Sequence, residues 1–575
     1  MTNSLPSERQ KFSSSHLPLV IGFTGHRDFS VEDIPHIQNK IREIFDDLRK
    51  KYPSTPLVLL SSLAEGADRF AAHIAIECGV DFIAPLPLAP EEYEADFSSE
   101  ESKLEFRELL SKANRWFALP LVAGSTLEGI REQGYERNLQ YAQIGAYLAR
   151  YSQILIAVWD GVQFERIGGT SMVVKYKLHG IPEMFGPPQS PLDPVESGPV
   201  YHIVARRLSE PDVIGKLFSL KKYFPRGYQS EAHAEAAFDK IYERINAFNE
   251  DITQYADYLA PRKKQSGEYL FPASEEESLT GAIRTIRDYY SSADVLASYY
   301  QHYTYRTFTG IFSCVFFAAF FFDIYAHVFD TTVILTLYLL SLLLAFVWYR
   351  VAKKKEYQTK YLDYRALAEG LRIQFYWEYS GITDCAGDYY LRKQKSELDW
   401  IRYALRTIAI PSDDEMIANR AHHAESRSAR IWLVVKHWVE DQAKYFPRAM
   451  KRDHKKLYRL ELLINFFFTI GIALAGLQLT SEPQHFLVVA VGLAPLVAAL
   501  LGGYIDRNAL LGHIKQYERM GDLFKHASES LQKLMTEGKR DEAADFIFEL
   551  GKESLSENGD WMLLHRERPL EVPKG

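Results

Sequence analysis

A chain of 575 residues exceeds what one hydrophobic core usually fills, so two or three domains are expected. Lys and Arg total 67 against 75 Asp and Glu, a mildly acidic balance that argues against a nucleic-acid-binding surface spread over the molecule. The three cysteines, Cys78, Cys314 and Cys385, are odd in number, far apart and outside any metal-ligand spacing, which fits a reducing compartment and no disulfide framework.

Residues 1–16 are polar and Ser-rich with no apolar core, so no cleavable signal is expected and the N-terminus is placed in the cytoplasm. Apolar, β-rich runs then alternate with helical segments: LVIGF at 19–23, LVLL at 57–60, DFIAPL at 81–86, ILIAVW at 154–159 and VYHIVA at 200–205. That alternation predicts an α/β domain over residues 15–255, with a Rossmann-like, mainly parallel sheet whose strand ends bind ligands.

Three glycine-bearing turns fall at those ends. In GFTGHRD, residues 22–28, Gly25 lets the backbone approach a ligand, while His26 and Arg27 can offer charge-assisted donors to phosphate. In SSLAEGADR, residues 61–69, Gly66 opens a helix at Ala67 whose free N–H groups are expected to face the same crevice. Ser62 and Glu65 can bind ribose hydroxyls there, and Asp68 with Arg69 can form a structural pair. In AVWDG, Asp160 and Gly161 end the next strand, and Gly168, Gly169 and Thr170 begin a helix suited to an anion.

Four apolar segments follow: 307–322 with its continuation to Asp330, then 331–349, 462–481 and 483–505. Each reaches or approaches the roughly 20 residues needed to span a bilayer. Arg306, Arg350, Lys353, Lys354, Lys355 and Lys360 flank the first pair; Lys451, Arg452, Lys455, Lys456, Arg459 and Arg507 flank the second. The tight connections at Asp330 and Glu482 carry no Lys or Arg, so both hairpins are expected to enter from the cytoplasm and return to it.

The hairpins read as copies. Arg306 and Arg459 precede each first helix, and Tyr364, Glu369 and Arg372 recur as Tyr517, Asp522 and Lys525 at the same offset of 153 residues. The repeating units run over 280–400 and 440–560, each a hairpin plus a cytoplasmic helix. Asp323, inside a span, is expected either to face a bundle interior, where it can line a conduction path, or to lie near the outer interface with its carboxylate snorkelling outward. Arg306 and Arg459 are expected to anchor helices to headgroups. His422 and His423 adjoin Glu425, but adjacent histidines on a helix point in different directions, and no metal site is expected.

GFTGHRD, LAEGADR, WDG and GGT in this order resemble the SLOG superfamily, Rossmann-like domains related to the LOG and DprA proteins. The stretch PLAPEEYEADF from Pro87 and the following EFRELL are similar too. The resemblance covers most of residues 15–210 and implies a small nucleotide or nucleotide-derived signal as ligand, with no cofactor. Residues 280–560 resemble SLATT domains, membrane-spanning effectors found fused to or beside SLOG and nucleotide-synthesising proteins in bacterial conflict systems. That likeness implies a multi-pass protein of the bacterial inner membrane that forms a pore or disrupts the bilayer in anti-phage defence. A four-helix unit has little room for a lumen, so a pore needs a homo-oligomer.

LOG enzymes that cleave nucleoside monophosphates carry PGGxGTxxE, whose final Glu and a nearby Arg do the hydrolytic chemistry. The matching stretch here, IGGTSMVVK, lacks the second glycine of that motif and puts no carboxylate on the next turn, which favours binding over catalysis. Glu65 and Asp160 keep a membrane-tethered nucleotide hydrolase open as an alternative, beside a small transporter or scaffold. Coupling to the membrane is expected to run through residues 210–300.

Overall fold

The computed structural model describes residues 16–163, 167–187, 197–209, 212–390, 398–411, 424–480 and 484–569. His422, His423 and the turn residue Glu482 lie outside them. The N-terminal unit is built on a seven-stranded sheet: β1 (Leu19–Gly25), β2 (Leu57–Leu60), β3 (Asp81–Leu86), β4 (Arg115–Ala118), β5 (Ile154–Trp159), β6 (Val200–Val204) and β7 (Leu220–Tyr223). Their order is β4-β3-β2-β1-β5-β6-β7, parallel throughout except for β7, which runs antiparallel to β6. The mainly parallel α/β architecture read from the sequence is therefore present, with β4 and β7 added at the edges. β7, LKKY, has no apolar run, its lysines suiting an exposed edge, whereas β4, RWFA, opens the apolar stretch 116–123.

The central strands are apolar on both faces because helices cover both. Leu19, Ile21 and Phe23 share a core with Ile37, Ile41 and Ala71, whereas Val20 packs with Ile144 and Leu148 on the opposite side. Three helices position the crevice: α1 (Ala67–Glu77), α2 (Tyr135–Tyr151) and α3 (Thr170–His179). A fourth, α4 (Glu231–Gln254), leads toward the helical region.

That region holds α5 (Gly281–His327), α6 (Thr332–Lys354), α7 (Tyr357–Ser380) and α8 (Asp399–Ile408), then α9 (Glu440–Gln478), α10 (His485–Arg507), α11 (Leu510–Thr536) and α12 (Arg540–Arg566). Among the described residues, four helical stretches are long and apolar enough to cross a membrane. At 47 residues α5 is roughly 70 Å long, more than twice the thickness of a hydrocarbon core. Its first half buries Tyr290, Leu296 and Tyr300 in the protein, and only its second half belongs to the apolar segment. On α6, Leu339, Leu343 and Phe346 are more than half exposed. Leaving each such side chain in water forgoes roughly 1.5–3 kcal/mol, a cost that lipid contact removes.

The repeat is geometric as well as sequential. Helices α6 and α10 begin and end 153 residues apart, and α7 and α11 begin at the same offset. Between each pair stands a non-glycine residue in the left-handed region, Glu356 at φ 51° and Ala509 at φ 49°, again 153 apart. The N-terminal unit does not end in a free linker. Phe248 of α4 packs edge-on against Tyr364 of α7, with ring centroids 5.2 Å apart, and against Trp400 of α8 at 6.1 Å. One apolar core runs from the sheet into the helices beneath the apolar spans.

Candidate functional site

Chain direction reverses between β1 and β5. From β1 the chain builds outward through β2, β3 and β4, and from β5 it builds the other way, so the ends of these two neighbours form a topological switch point. The backbone is packed tightly there. A side chain on Gly25 would lie 2.4 Å from Ala67 Cβ, and one on Gly66, whose φ is 85°, would lie 2.4 Å from the Arg27 carbonyl oxygen. Glycine at both positions lets α1 meet the end of β1.

A crevice of about 690 Å³ opens at this point. Gly25, His26, Arg27 and Ser62 line it from the first two turns, and Gly168, Gly169 and Thr170 line it from the start of α3. The N-cap of α3 is Gly169, which has no side chain of its own to cap the helix, and the helix start that lines the crevice suits an anion. Arg27 is exposed, makes no ion pair with a described residue, and lies 5.8 Å from the Tyr141 ring centroid.

His26 departs from its expected role. The ring is 5% exposed, and its Nε2 accepts the Asp160 N–H at 3.1 Å, with Arg207 Nε also at 3.1 Å and Asp160 Oδ2 at 3.2 Å. An Nε2 that accepts leaves the proton on Nδ1. Burial, assisted by the Arg207 charge, holds the imidazole well below its ordinary value, so it is neutral at neutral pH and offers no charge-assisted donor. Asp160 is committed as well: Oδ2 takes Arg207 Nε at 3.1 Å and Oδ1 takes the Val162 N–H at 2.9 Å.

The second turn contributes less than its sequence suggests. Glu65 accepts from the Ser98 N–H at 2.9 Å, the Ser98 hydroxyl at 2.8 Å and the Ser102 hydroxyl, and it lies with Gly66 in a shallow depression on the far side of Arg27. The Ala67 N–H is spent on the His26 carbonyl at 3.1 Å, so α1 offers the crevice fewer free donors than expected. Gly161, with φ 85°, faces His202 and Ile214 outside the crevice. Asp68 and Arg69 do not pair: Asp68 accepts from Ser62 Oγ at 2.9 Å, and Arg69 holds Glu105 at 2.7 Å.

Several lining residues had no sequence signal. Tyr93 and Phe97 come from the PEEYEADF stretch and Tyr141 from the middle of α2, where nothing in the spacing marks an aromatic as facing a ligand. Asp96 beside them accepts from Tyr141 OH and from the Arg137 guanidinium at 2.7 Å. Asp68 is the chemically distinctive group. It lines the crevice at 4% exposure, and burial pushes its carboxyl up to about 7 despite the Ser62 hydrogen bond and the nearby Arg27.

The chain matches no family model and no curated protein. What the crevice holds must therefore be argued from its own residues and from its connection to the helical region.

That connection runs through α4. Asp251, 2% exposed, accepts from Lys360 Nζ at 2.7 and 2.8 Å and from Tyr364 OH at 2.5 Å, both on α7. Two turns earlier, Arg244 forks onto both carboxylate oxygens of Glu356 at 2.8 and 3.1 Å. Glu356 is the left-handed residue where α6 meets α7. The N-terminal unit thus grips the root of the first hairpin.

Arg306 and Arg459 are both exposed and make no ion pair or hydrogen bond with a described residue. Asp323 lies four residues from the end of α5, its carboxylate 3.0 Å from His327 Nδ1. Its other side faces α10, where a side chain on Gly492 would meet Asp323 Oδ2 at 2.9 Å. Asp323 therefore sits between α5 and α10, near the end of α5.

Proposed function

We propose that this protein is a ligand-controlled membrane effector: a nucleotide or nucleotide-derived anion binds the sheet crevice, and the apolar helices, spanning a bilayer in two hairpins, respond by forming a pore or disrupting the membrane. The observation that carries the reading is the exposed Arg27, which makes no ion pair with a described residue, lining the same crevice as the glycine-led start of α3 at the switch point of a parallel sheet. Tyr141, partly exposed at the crevice, supplies aromatic surface for a base beside that anion site. Ligand shifts the membrane state only by binding closed and open forms unequally, and the Arg244–Glu356 and Asp251–Lys360 links are where that difference is delivered. The resemblance to SLOG and SLATT domains favours a bacterial conflict setting, with the ligand made during infection and a homo-oligomer in the inner membrane.

The test is membrane potential in bacteria expressing the full chain and challenged with phage. Wild type is expected to depolarise the membrane on challenge, whereas Arg27→Ala and Arg244→Ala are not. Depolarisation that is identical in all three would contradict ligand control through this crevice.

A second reading, a membrane-tethered nucleotide hydrolase, is favoured by one observation. Asp68 is a buried carboxyl in the crevice that titrates near neutrality, as a general acid requires. Turnover of nucleotides by the full chain, abolished by Asp68→Asn with binding intact, would support it.

A further inference from the structure

Beneath the apolar spans the two repeats do not close on one another. Between them lies a cavity of about 670 Å³, walled by α5, α7, α9, α11 and α12. Its rim stands at the depth where the spans end: Tyr305 precedes the first apolar segment, Tyr504 closes α10, and Lys456 lies just before the third segment. Tyr and Lys at that depth mark the cytoplasmic interface.

The cations of this cavity are not equivalent. Arg365 is held by Asp294 at 2.9 Å and Glu369 at 3.3 Å, and Arg372 by Glu369 at 2.9 Å. Lys456 makes no ion pair with a described residue. Its ammonium donates to Tyr504 OH at 3.1 Å and lies 5.0 Å from the centre of that ring. Four residues earlier on the same helix face, Arg452 spends only Nε, on Asp453 at 2.9 Å, and its Nη groups bond to no described residue. Opposite them, His513 is kept neutral by burial and its neighbour His565, so it adds no charge. Two cations with free donors thus stand at the mouth of an aromatic-walled space far larger than an inorganic ion needs.

We propose that this cavity is a second ligand site, taking the phosphate of an organic phosphoester, with Lys456 and the Nη groups of Arg452 donating to its oxygens. The phosphoester is either the headgroup of an inner-leaflet phospholipid entering sideways between the hairpins or a soluble molecule entering from the cytoplasm. Basic pockets between membrane helices on this side commonly hold lipid headgroups. An occupant touches both repeats and so fixes their spacing, whatever the sheet crevice binds.

The full chain in detergent is titrated with phosphatidylglycerol, with diacylglycerol and with glycerol phosphate, reading the thermal midpoint and, by native mass spectrometry, retention of each compound. Phosphatidylglycerol is expected to raise the midpoint and to be retained. An equal response to glycerol phosphate assigns a soluble source, and a response to the phospholipid alone assigns the bilayer. The double variant Lys456→Gln with Arg452→Gln, both side chains at the surface, weakens binding about tenfold or more, and Lys456→Arg preserves it. The proposal is overturned if diacylglycerol, which lacks phosphate, acts as strongly as phosphatidylglycerol, if neither phosphate compound shifts wild type, or if the double variant responds as wild type does.

Discussion

The two hairpins share the 23-residue length of their second helices, a common offset and a left-handed junction, yet their roots are held by different parts of the molecule. At the first junction Glu356 is clamped by Arg244, and Lys360 and Tyr364 close on the buried Asp251, all from α4. The positions 153 residues on are Ala509, His513 and Tyr517. There Ala509 has no side chain to clamp, and His513 contacts His565 of α12, with Nε2 atoms 2.9 Å apart. Glu369 pairs with two arginines, whereas its counterpart Asp522 is exposed and unpaired among the described residues. Duplication thus supplied two equivalent apolar hairpins, of which, among the described residues, the first is the one tied to the sheet through α4. Under the proposed function, that root is the route from the crevice to the apolar spans.

Breaking the first root should have the largest effect. Asp251→Ala leaves Lys360 buried without its carboxylate, and a loss of about 3–5 kcal/mol in unfolding free energy is expected by denaturant titration. His513→Gln, at the position equivalent to Lys360, should cost far less, and equal losses would erase the asymmetry. Acid is next. Burial and His565 bring His513 down to about 4, so between that value and its ordinary 6.5 the unfolded chain binds a proton the folded chain does not. Stability therefore rises with pH through this window, by at most about 1.4 kcal/mol per pH unit, and falls on acidification. Hydrogen exchange should show α11 and α12 loosening before α7, and His513→Gln should flatten the slope.

The junctions separate the copies at smaller scale. Ala509→Gly relieves a left-handed alanine and is expected to stabilise by about 0.5–1 kcal/mol. Glu356→Gly gains the same relief but forfeits the Arg244 fork, a half-exposed pair worth about 1 kcal/mol or less, so its net change should be near zero. A clear gain at both positions in thermal unfolding would show that the clamp carries no energy.

How much of this was legible in the sequence depends on the range of the interaction. The five central strands announce themselves because parallel strands covered on both faces are apolar throughout, and the spans because lipid demands the same of helices. Edge strand β7 stayed hidden, since LKKY has no periodicity to read, and β4 is only the first four residues of RWFALPLVA, a stretch whose prolyl break gives no strand length. In the crevice, turns that need glycine were visible as Gly25, Gly66 and Gly168. The state of a side chain was not, because it is set by burial and by partners distant in sequence: burial, with Arg207 from 181 residues away, keeps His26 neutral, Ser98 and Ser102 occupy Glu65, and Tyr141 arrives on a separate helix. The clamp joins Arg244 to Glu356 across 112 residues and has no local signature.

Asp68 offers a way to see the crevice titrate. Below about 7 its carboxyl is neutral, so an anion beside it binds more tightly, and affinity should fall as pH rises through that value. The most direct measurement is mass spectrometry of small molecules released from the full chain purified out of phage-challenged cells, wild type beside Arg27→Ala. Wild type should release a nucleotide or nucleotide-derived anion that the variant lacks. The same yield from both, or none from either, would contradict a crevice that holds such a ligand through Arg27.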